Sequence, residues 1–303
     1  MAGRSRQLRA AVVYKRTTLA AMGGTRSAAW RALPPDVRCT LREGDAEHHS
    51  TLKEVLAVLR DAGIHVWARY RGDVQRRLQT DLVVTVGGDG TLLLAAGLVR
   101  SEPVLAVNSD PRHSVGVFAG ATRRTVRDRI NRWLAGRLAG TTLPRMGVRV
   151  NGKLIRWPVL NEVLLASRNP AEMTRYRIRV NRREEDHRCS GLYVATGPGS
   201  TGAIRSAGGR ILPLRSKRLQ FLARELYAGL GRRARLARGV VSAAGLEAIA
   251  ISRGNTLFCD GSRRQVSVTP GAVVHFSLDA PPLNLLALDP TRRRRPWRKD
   301  QKR

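Results

Sequence analysis

The residues from Gly87 to Thr91 read Gly-Gly-Asp-Gly-Thr, and this spacing could bring a carboxylate next to a bound phosphate. A run of β-forming residues, 82–86, comes directly before them, and an apolar stretch of helical length, 92–98, comes directly after. A strand, a glycine turn and a helix together present backbone N–H groups and a positive helix N-terminus to an anion, most often phosphate. Glycines suit such a turn because they let the backbone approach a ligand closely. The candidate phosphate-binding residues are therefore Gly87, Gly88, Gly90 and Thr91.

Asp89 lies inside this turn, where a negative charge beside phosphate is unfavourable unless it takes part in the chemistry. A carboxylate there could accept a proton from a hydroxyl group that attacks the phosphate. The alternative is structural, because aspartate is also a common N-cap of the helix that follows a strand. Both interpretations stay open on these residues alone.

A second stretch rich in glycine and hydroxyl groups runs from Gly191 to Gly202 and continues to Gly209. Residues 197–202 satisfy G-x-G-x-x-G, but no sustained helix can follow, since Gly208, Gly209 and Pro213 interrupt it. We therefore expect a loop that wraps a ribose and phosphates rather than a dinucleotide-binding helix. An Asn161-Glu162 pair leads a predicted strand further upstream, and by itself it is typical of a turn.

The elements that carry these residues fall into two regions. Strand-like runs at 8–14, 64–68, 82–86 and 103–107 alternate with helical patterns, which predicts a doubly wound, Rossmann-like α/β domain over residues 1–120. A basic amphipathic helix within 121–141 is expected to link it to the next domain. From Thr142 the apolar pattern alternates, with a hairpin turn at Asn151-Gly152, and this predicts a mostly β domain over 142–290.

Three local interpretations complete the pattern. A helix is expected over 52–62, with a capping box from Thr51 to Glu54, so the preceding Asp45-to-His49 run should be solvated and not a metal cluster. A further helix is expected over 216–230. Residues 291–303 form a basic tail that should be disordered and dispensable for turnover.

The composition bounds the class of protein. There are 303 residues, enough for two domains, and no apolar run reaches the roughly 20 residues that cross a bilayer. The absence of a secretory pattern and the three widely spaced cysteines favour a reduced, cytoplasmic location without membrane attachment. We also expect a homo-oligomer whose number of subunits stays open.

The net charge of +32 is extreme, with only six lysines among 55 basic residues. These arginines are spread along the whole chain, and aromatic residues make up only 5% of it. Nucleic-acid binding surfaces usually combine clustered positive charge with stacking aromatics. We therefore do not expect nucleic acid as the partner, and attraction for ligands that carry several phosphates accounts better for the charge.

In their order and spacing, these motifs resemble the NAD kinase family. The resemblance rests on Gly-Gly-Asp-Gly-Thr-Leu-Leu, on Asn161-Glu162, and on the Gly-Ser-Thr loop that ends in Ser-Ala-Gly-Gly at 206–209. Asp260-Gly261 matches a late motif of the family, and 108–116 resembles its mitochondrial-type branch. It covers most of residues 8–280.

The resemblance implies a function and a set of roles. It implies transfer of a phosphoryl group from ATP, with Mg²⁺, to the 2′-hydroxyl of the adenosine ribose of NAD, so that NADP is made. Asp89 would be the general base, and the glycine turn would face phosphates. Asn161 and Glu162 would hold the adenosine half of NAD, and the other NAD-binding residues would be Arg188, Thr201, Gly202 and Ser206.

The chain also departs from the commoner bacterial pattern of this family. Ala203 stands where that pattern has a tyrosine next to the nucleotide. Ser190, just before the strand-like run that begins at Gly191, stands where it has an aspartate. Two alternatives therefore remain: a lipid kinase of the diacylglycerol or sphingosine type, which shares the Gly-Gly-Asp-Gly core, and a non-catalytic nucleotide-binding protein. The lipid kinases usually continue that core with a polar Asn-Glu pair, which the helix after Thr91 lacks.

Overall fold

The chain folds into two compact units in the computed structural model, which describes residues 6–227, 234–242 and 245–294. The first unit is Met1–Thr141 together with Asn284–Arg303, and the second is Thr142–Leu283. The chain from Asn284 onward thus belongs to the first unit. The domain bounds 1–120, 121–141 and 142–290 stay predictions. No helix within the described ranges is long and apolar enough to cross a membrane.

Four parallel strands form the centre of the first unit, in the order β4-β3-β1-β2. They are β1 Arg9–Tyr14, β2 His65–Tyr70, β3 Leu82–Gly87 and β4 Val104–Asn108, and a short β5, Ala121–Thr122, pairs with β4. All their pairings are parallel. Every residue of β3 and β4 is buried, as expected for strands covered on both faces. The predicted Rossmann-like α/β domain is confirmed.

The helices of this unit are α1 Thr18–Ala21, α2 Ala28–Arg31, α3 Pro35–Asp61, α4 Asp89–Ala96 and α5 Val126–Leu134. Helix α3 begins 17 residues before the predicted start at Leu52, so the capping box at Thr51 is wrong. Proline at the first helical position starts α3, because its missing N–H would be unpaired there anyway. Thr51 is buried in mid-helix and donates its hydroxyl to the Glu47 carbonyl.

Helix α5 is the part of the expected linking segment that is helical. Its buried residues, Val126 and Ile130, belong to the apolar core that also contains Val84 and Leu105 of the parallel sheet. The segment therefore packs as a helix of the first unit.

The second unit is a β-sandwich. One sheet has the order β10-β9-β14-β17 and the other β13-β12-β11-β8-β15-β16. The strands are β6 Gly140–Val150, β7 Lys153–Leu154, β8 Glu162–Ser167, β9 Thr174–Val180, β10 Arg183–Cys189, β11 Gly191–Ala195, β12 Arg218–Arg224, β13 Arg238–Ser242, β14 Leu246–Ala250, β15 Asn255–Cys259, β16 Gln265–Ser267 and β17 Val273–Leu286. Side chains from both sheets, among them Ile178 and Leu192, form one apolar core. The prediction of a mostly β domain is confirmed.

The hairpin turn at Asn151-Gly152 was predicted correctly, whereas the strand β12 was predicted as a helix. Asn151 and Gly152 both have positive φ, 50° and 78°, as a type I′ hairpin between β6 and β7 requires. The predicted helix over 216–230 is wrong, because β12 occupies its first half as a strand between β11 and β13. Leu219 and Phe221, two residues apart, face the sandwich core, and this burial overrides the helical propensity. Residues 228–230 lie outside the described residues.

The predicted disordered tail begins with ordered residues. Pro290–Arg294 form a 3₁₀ helix, and Arg292 donates a hydrogen bond to the Ala119 carbonyl. The expectation of disorder is therefore wrong for Thr291 to Arg294, and the remainder of the tail lies outside the described residues.

The end of α3 provides a stability test. Gly63 has φ +71°, its amide donates to the Arg60 carbonyl, and the Ile64 amide donates to Leu59, which together form a Schellman cap. Nothing lies within 4 Å of a Cβ built on Gly63. Gly63→Ala should therefore lower the free energy of unfolding by about 1–2 kcal/mol through backbone strain alone.

Urea unfolding of the two proteins measures this difference. Gly63→Asn is the matched control, because asparagine tolerates the left-handed conformation and should lose less stability than alanine. An alanine variant as stable as the wild type would contradict the assignment of this cap.

Candidate functional site

The glycine turn, residues 87–90, joins β3 to α4 and is closely packed. A Cβ on Gly87 would lie 2.4 Å from the Thr91 hydroxyl oxygen, and one on Gly88 would lie 2.9 Å from that of Ser114. Any side chain at these two positions would displace a hydroxyl group. The sequence therefore needs glycine here for close approach, and Thr91, which is fully buried, receives a hydrogen bond from Arg71 Nη1 at 3.3 Å.

Asp89 is the first residue of α4 and does not cap it. The N-cap is Gly88, which makes no side-chain cap, so the structural alternative for Asp89 is wrong. Its carboxylate instead accepts two backbone hydrogen bonds, from Val117 N at 2.9 Å and from Phe118 N at 3.0 Å. The carboxylate is thus fixed from a segment 28 residues away in the chain.

The pKa of Asp89 lies above its usual value, and the main cause is burial of the half-buried carboxyl group. The hydrogen bonds from Phe118 and Val117, and the positive charge of Arg292, act in the opposite direction. A carboxylate with a raised pKa is a stronger base than an exposed one, and this suits it to remove a proton.

The segment 108–118, at the carboxyl end of β4, is a loop held by hydrogen bonds of its own. Asn108 donates to the Ser114 carbonyl and accepts from the Asp110 amide, both at 3.0 Å. A Cβ on Gly116, which has φ +56°, would lie 2.5 Å from the Asn108 amide nitrogen. Ser109 N donates to Gly87 O at 3.3 Å, which joins this loop to the glycine turn.

Two basic side chains flank the turn. A Cβ on Gly87 would lie 3.5 Å from Lys15 Cγ, and one on Gly90 would lie 3.4 Å from Arg71 Nη1. Burial lowers the pKa of Lys15, Asp110 raises it and Arg71 lowers it. Both side chains could neutralise phosphate charge beside Asp89. Neither of them was predicted from the sequence as a site residue.

His48 is a buried residue whose role was not predicted from the sequence. It lies in α3, and its Nδ1 is 2.9 Å from the Ser109 hydroxyl. Burial, with the nearby Lys15 charge, lowers its pKa to about 4, so the ring is neutral. His48 therefore positions the loop after β4. In the sequence, only the Asp45-to-His49 run drew attention to this histidine. Because the predicted helix begins after that run, at residue 52, the run was expected to be solvated.

The second unit carries the Asn-Glu pair at the start of β8. The Asp260 carboxylate accepts from Leu160 N at 2.8 Å and from Asn161 N at 2.7 Å, and so fixes the backbone that presents this pair. Among the described residues nothing hydrogen-bonds to two buried acceptor atoms, Asn161 Oδ1 and Glu162 Oε2. Buried acceptors without donors are the groups that a polar ligand would satisfy.

The glycine-rich loop packs directly on this pair. A Cβ on Gly199 would lie 2.0 Å from the Asn161 carbonyl oxygen, and one on Gly202 would lie 2.6 Å from Glu162 Oε2. The loop is a 3₁₀ helix, Pro198–Thr201, followed by α6, Ala203–Ser206. Since α6 has only four residues and β11 is antiparallel to its neighbours, the loop is no dinucleotide-binding helix turn.

The other predicted NAD-binding residues are distributed unevenly. Thr201 and Gly202 are half-buried in this loop, while Ser206 is exposed at the end of α6. Arg188 is exposed on β10, with its guanidinium carbon 5.6 Å from the Tyr227 ring centroid. Ser190 hydrogen-bonds Glu225. The loop residues therefore lie with Asn161 and Glu162, whereas the guanidinium of Arg188 lies over the Tyr227 ring.

Burial raises the pKa of Glu162 to about 8, and the nearby Asp260 carboxylate adds to the shift, while the Ala203 amide opposes it. Burial also raises the pKa of Asp260 to about 6, against the hydrogen bonds from Leu160 and Asn161. Two carboxyl groups close together cannot easily both be ionised. Near neutral pH, Glu162 is therefore the protonated member of the pair and can donate as well as accept.

A half-buried carboxylate in a glycine turn before a helix, flanked by basic side chains, is the arrangement expected of a nucleotide-dependent phosphotransferase. No family model matches the chain. A probable NADH kinase from Oryza sativa subsp. japonica is 33% identical over 264 residues, which are 79% of this chain and 81% of that protein. An NADH kinase from Arabidopsis thaliana is 30% identical over 240 residues, 71% and 75% of the two chains. The chain belongs to the NAD kinase family, and it is a kinase.

Solved structures show the same fold. An NAD kinase from Archaeoglobus fulgidus in complex with ATP superposes with a TM-score of 0.67 at 22% identity, over 95% of this chain and 96% of that one. The yeast NADH kinase complexed with NADH gives 0.69 at 15% identity, over 95% and 86%.

The protonated Glu162 makes stability depend on pH. Its pKa is raised on folding from 4.5, so the folded state holds a proton that the unfolded chain has lost. This contribution is fully present below pH 4.5 and disappears as the pH rises to about 8. Between pH 6 and 8 the wild-type free energy of unfolding should fall by up to about 1.4 kcal/mol per pH unit.

Glu162→Gln cannot titrate, so its stability should change less over this range and should match or exceed that of the wild type at pH 8. Chemical unfolding at pH 6, 7 and 8 measures both slopes. Glu172→Gln, at an exposed glutamate of the same unit, is the control. Equal slopes for Glu162→Gln and wild type would show that Glu162 is ionised throughout.

Proposed function

We propose that this protein transfers the terminal phosphoryl group of ATP to the 2′-hydroxyl of the adenosine ribose of NAD and so makes NADP. The observation that carries this proposal is Asp89: a half-buried carboxylate with a raised pKa, held by two amides within a glycine turn. The Archaeoglobus relative binds ATP, and the yeast relative binds NADH. Both NAD and NADH are candidate acceptors here.

Asp89 is the general base in this proposal. The 2′-hydroxyl is a poor nucleophile until its proton can leave, and a carboxylate within hydrogen-bond distance can take it. Each Asp89 oxygen accepts one amide and retains a second lone pair for the ribose hydroxyl. Because the amides fix the carboxylate, little rearrangement is needed when the proton moves.

The glycine turn binds the donor phosphates. The backbone around Gly87, Gly88 and Gly90, with Thr91, opens α4 and presents amide groups to an anion. Lys15 and Arg71 would offset charge on the transferred group.

Mg²⁺ accompanies ATP in this reaction. The described residues contain no group of three or more His, Cys, Asp or Glu side chains that could hold a metal ion. The ion would therefore be held largely by the phosphates of the donor, as part of the substrate.

The adenosine half of NAD is assigned to the second unit. The unpaired acceptors of Asn161 and Glu162 suit the amino group of adenine and a ribose hydroxyl. Thr201, Gly202 and Ser206 would line the dinucleotide, with Arg188 as a further contact. We further propose a cytoplasmic homo-oligomer, which light scattering and fractionation of cells test directly.

The alternatives explain less. A lipid kinase would not need the Asn-Glu pair with unpaired acceptors, and a non-catalytic binding protein would not need a buried base. Purified protein with ATP and Mg²⁺, and with NAD or NADH, should yield a product that an NADP-specific dehydrogenase detects. Polyphosphate in place of ATP tests the donor. Phosphorylation of diacylglycerol with no NADP or NADPH formed would overturn the proposal.

Asn161→Ala should weaken NAD binding by roughly 1–3 kcal/mol, because it removes the acceptor and leaves ligand groups unpaired. ATP affinity should be nearly unchanged. Calorimetry with each ligand separates the two effects, and Asn169→Ala, an exposed asparagine of the same unit, is the control. Equal weakening of both ligands would show that Asn161 is structural.

Asp89→Asn should lower kcat by about 10²–10⁴-fold while NAD still binds. The amide cannot take the proton, and its NH₂ group would face one of the two backbone amides. Its free energy of unfolding should therefore also fall, by about 1–3 kcal/mol. Rates are compared below the melting temperature of the variant. If the variant retains more than about a tenth of wild-type kcat, the activation free energy has risen by less than about 1.4 kcal/mol, and Asp89 is not the base.

A further inference from the structure

The 3₁₀ helix at Pro290–Arg294 contacts the loop that holds Asp89. Arg292 Nη1 donates to two backbone carbonyls, Ala119 O at 3.0 Å and Gly116 O at 3.4 Å. These two carbonyls flank Val117 and Phe118, the residues whose amides bind the Asp89 carboxylate. One guanidinium group therefore spans the short segment that fixes the base.

The 116–119 loop is a tight turn with few bonds of its own. Gly116 has a left-handed φ of +56°, and Ala119 N donates back to Gly116 O at 3.0 Å. The Gly116 carbonyl thus accepts from both the turn and Arg292. Phe118 and Ala119 are buried, and Arg292 adds a polar anchor from outside the turn at the carbonyls of Gly116 and Ala119.

Arg292 is itself anchored. Its Nε lies 3.8 Å from Asp289 Oδ2, and Asp289 Oδ1 accepts from the Thr291 amide at 2.9 Å and the Thr291 hydroxyl at 2.7 Å. The preceding chain lies against the same loop, because a Cβ on Gly120 would come within 2.4 Å of the Leu286 carbonyl oxygen. The chain that leads into Arg292 is therefore held against the loop.

We propose that Arg292 is a positioning residue for phosphoryl transfer: it clamps the 116–119 loop, and through that loop it fixes the carboxylate of Asp89. The proposal rests on the proposed function, in which Asp89 is the base. It divides the basic tail into a part needed for catalysis, up to Arg294, and a dispensable part beyond it. The expectation that everything from Thr291 onward is dispensable is replaced by this division.

The clamp also acts through charge. Lys15 and Arg71 lie beside the glycine turn, and Arg292 contributes a further positive charge that lowers the pKa of Asp89. The base must be ionised to act, so activity falls as the pH drops through its pKa. Removing Arg292 destabilises the carboxylate and moves this acidic limb to higher pH.

Four variants test the proposal in the coupled NADP assay. Arg292→Ala should lower kcat about tenfold or more, with its acidic limb at higher pH than in the wild type. Arg292→Lys retains the charge but cannot span both carbonyls as well. The acidic limb of its pH profile should therefore stay in place, and its kcat should fall less than that of Arg292→Ala. Truncation after Asp289 should reproduce the alanine variant, and truncation after Arg294 should retain activity. Arg6→Ala, an exposed arginine paired with Asp81, is the control for one lost charge.

The outcomes are distinguishable. If Arg292→Ala keeps the kcat and pH profile of Arg6→Ala, the clamp is wrong although the proposed function stands. Arg292→Ala could instead lower both kcat and the melting temperature while the acidic limb of its pH profile stays where it is in the wild type. That result would assign Arg292 a merely structural role and overturn the proposal. If the wild type forms no NADP or NADPH, or Asp89→Asn stays active, the proposed function fails instead.

Discussion

The candidate site of the first unit depends on one contact, the pair of hydrogen bonds from Val117 and Phe118 to the Asp89 carboxylate. A carboxylate withdrawn from water is unfavourable unless its charge is compensated. Two charge-assisted amide bonds supply much of that compensation, and they leave one lone pair on each oxygen free. The same bonds join the glycine turn to the segment after β4. The proposed phosphate-binding turn and the proposed base are thereby held to one another by direct hydrogen bonds.

The second unit repeats this device for a different purpose. Asp260 accepts the consecutive amides of Leu160 and Asn161, as Asp89 accepts those of Val117 and Phe118. The consequences differ because Asp260 lies near another carboxyl group, Glu162, whose pKa is raised first by burial and further by the Asp260 charge. In one unit a bidentate aspartate is the proposed base. In the other it orients a backbone and adds to the pKa shift that burial causes in its neighbour.

Much of the fold, and part of the site, could be predicted from the sequence, because local rules decide those parts. The buried β3 run, the glycine turn and the Asn151-Gly152 hairpin need only their own residues and φ preferences. Contacts that depend on distant partners could not be predicted. Nothing near His48 shows that it meets Ser109, and nothing near Arg292 shows that it meets Ala119. The strand at 218–224 was mistaken for a helix for the same reason, since its neighbours β11 and β13 decide its conformation.

Stability and function make opposite demands on these carboxyl groups. A buried acid whose pKa is raised destabilises the folded state at neutral pH, and an apolar residue of similar size is often more stable at such a position. Asp89 and Glu162 both have raised pKa values, and burial is the main cause in each case. The large apolar clusters around β3 and between the two sheets of the sandwich can absorb that unfavourable contribution. In each site an aspartate carboxylate, Asp89 or Asp260, accepts two backbone amides, and these donors hold it in place because they cannot rotate away.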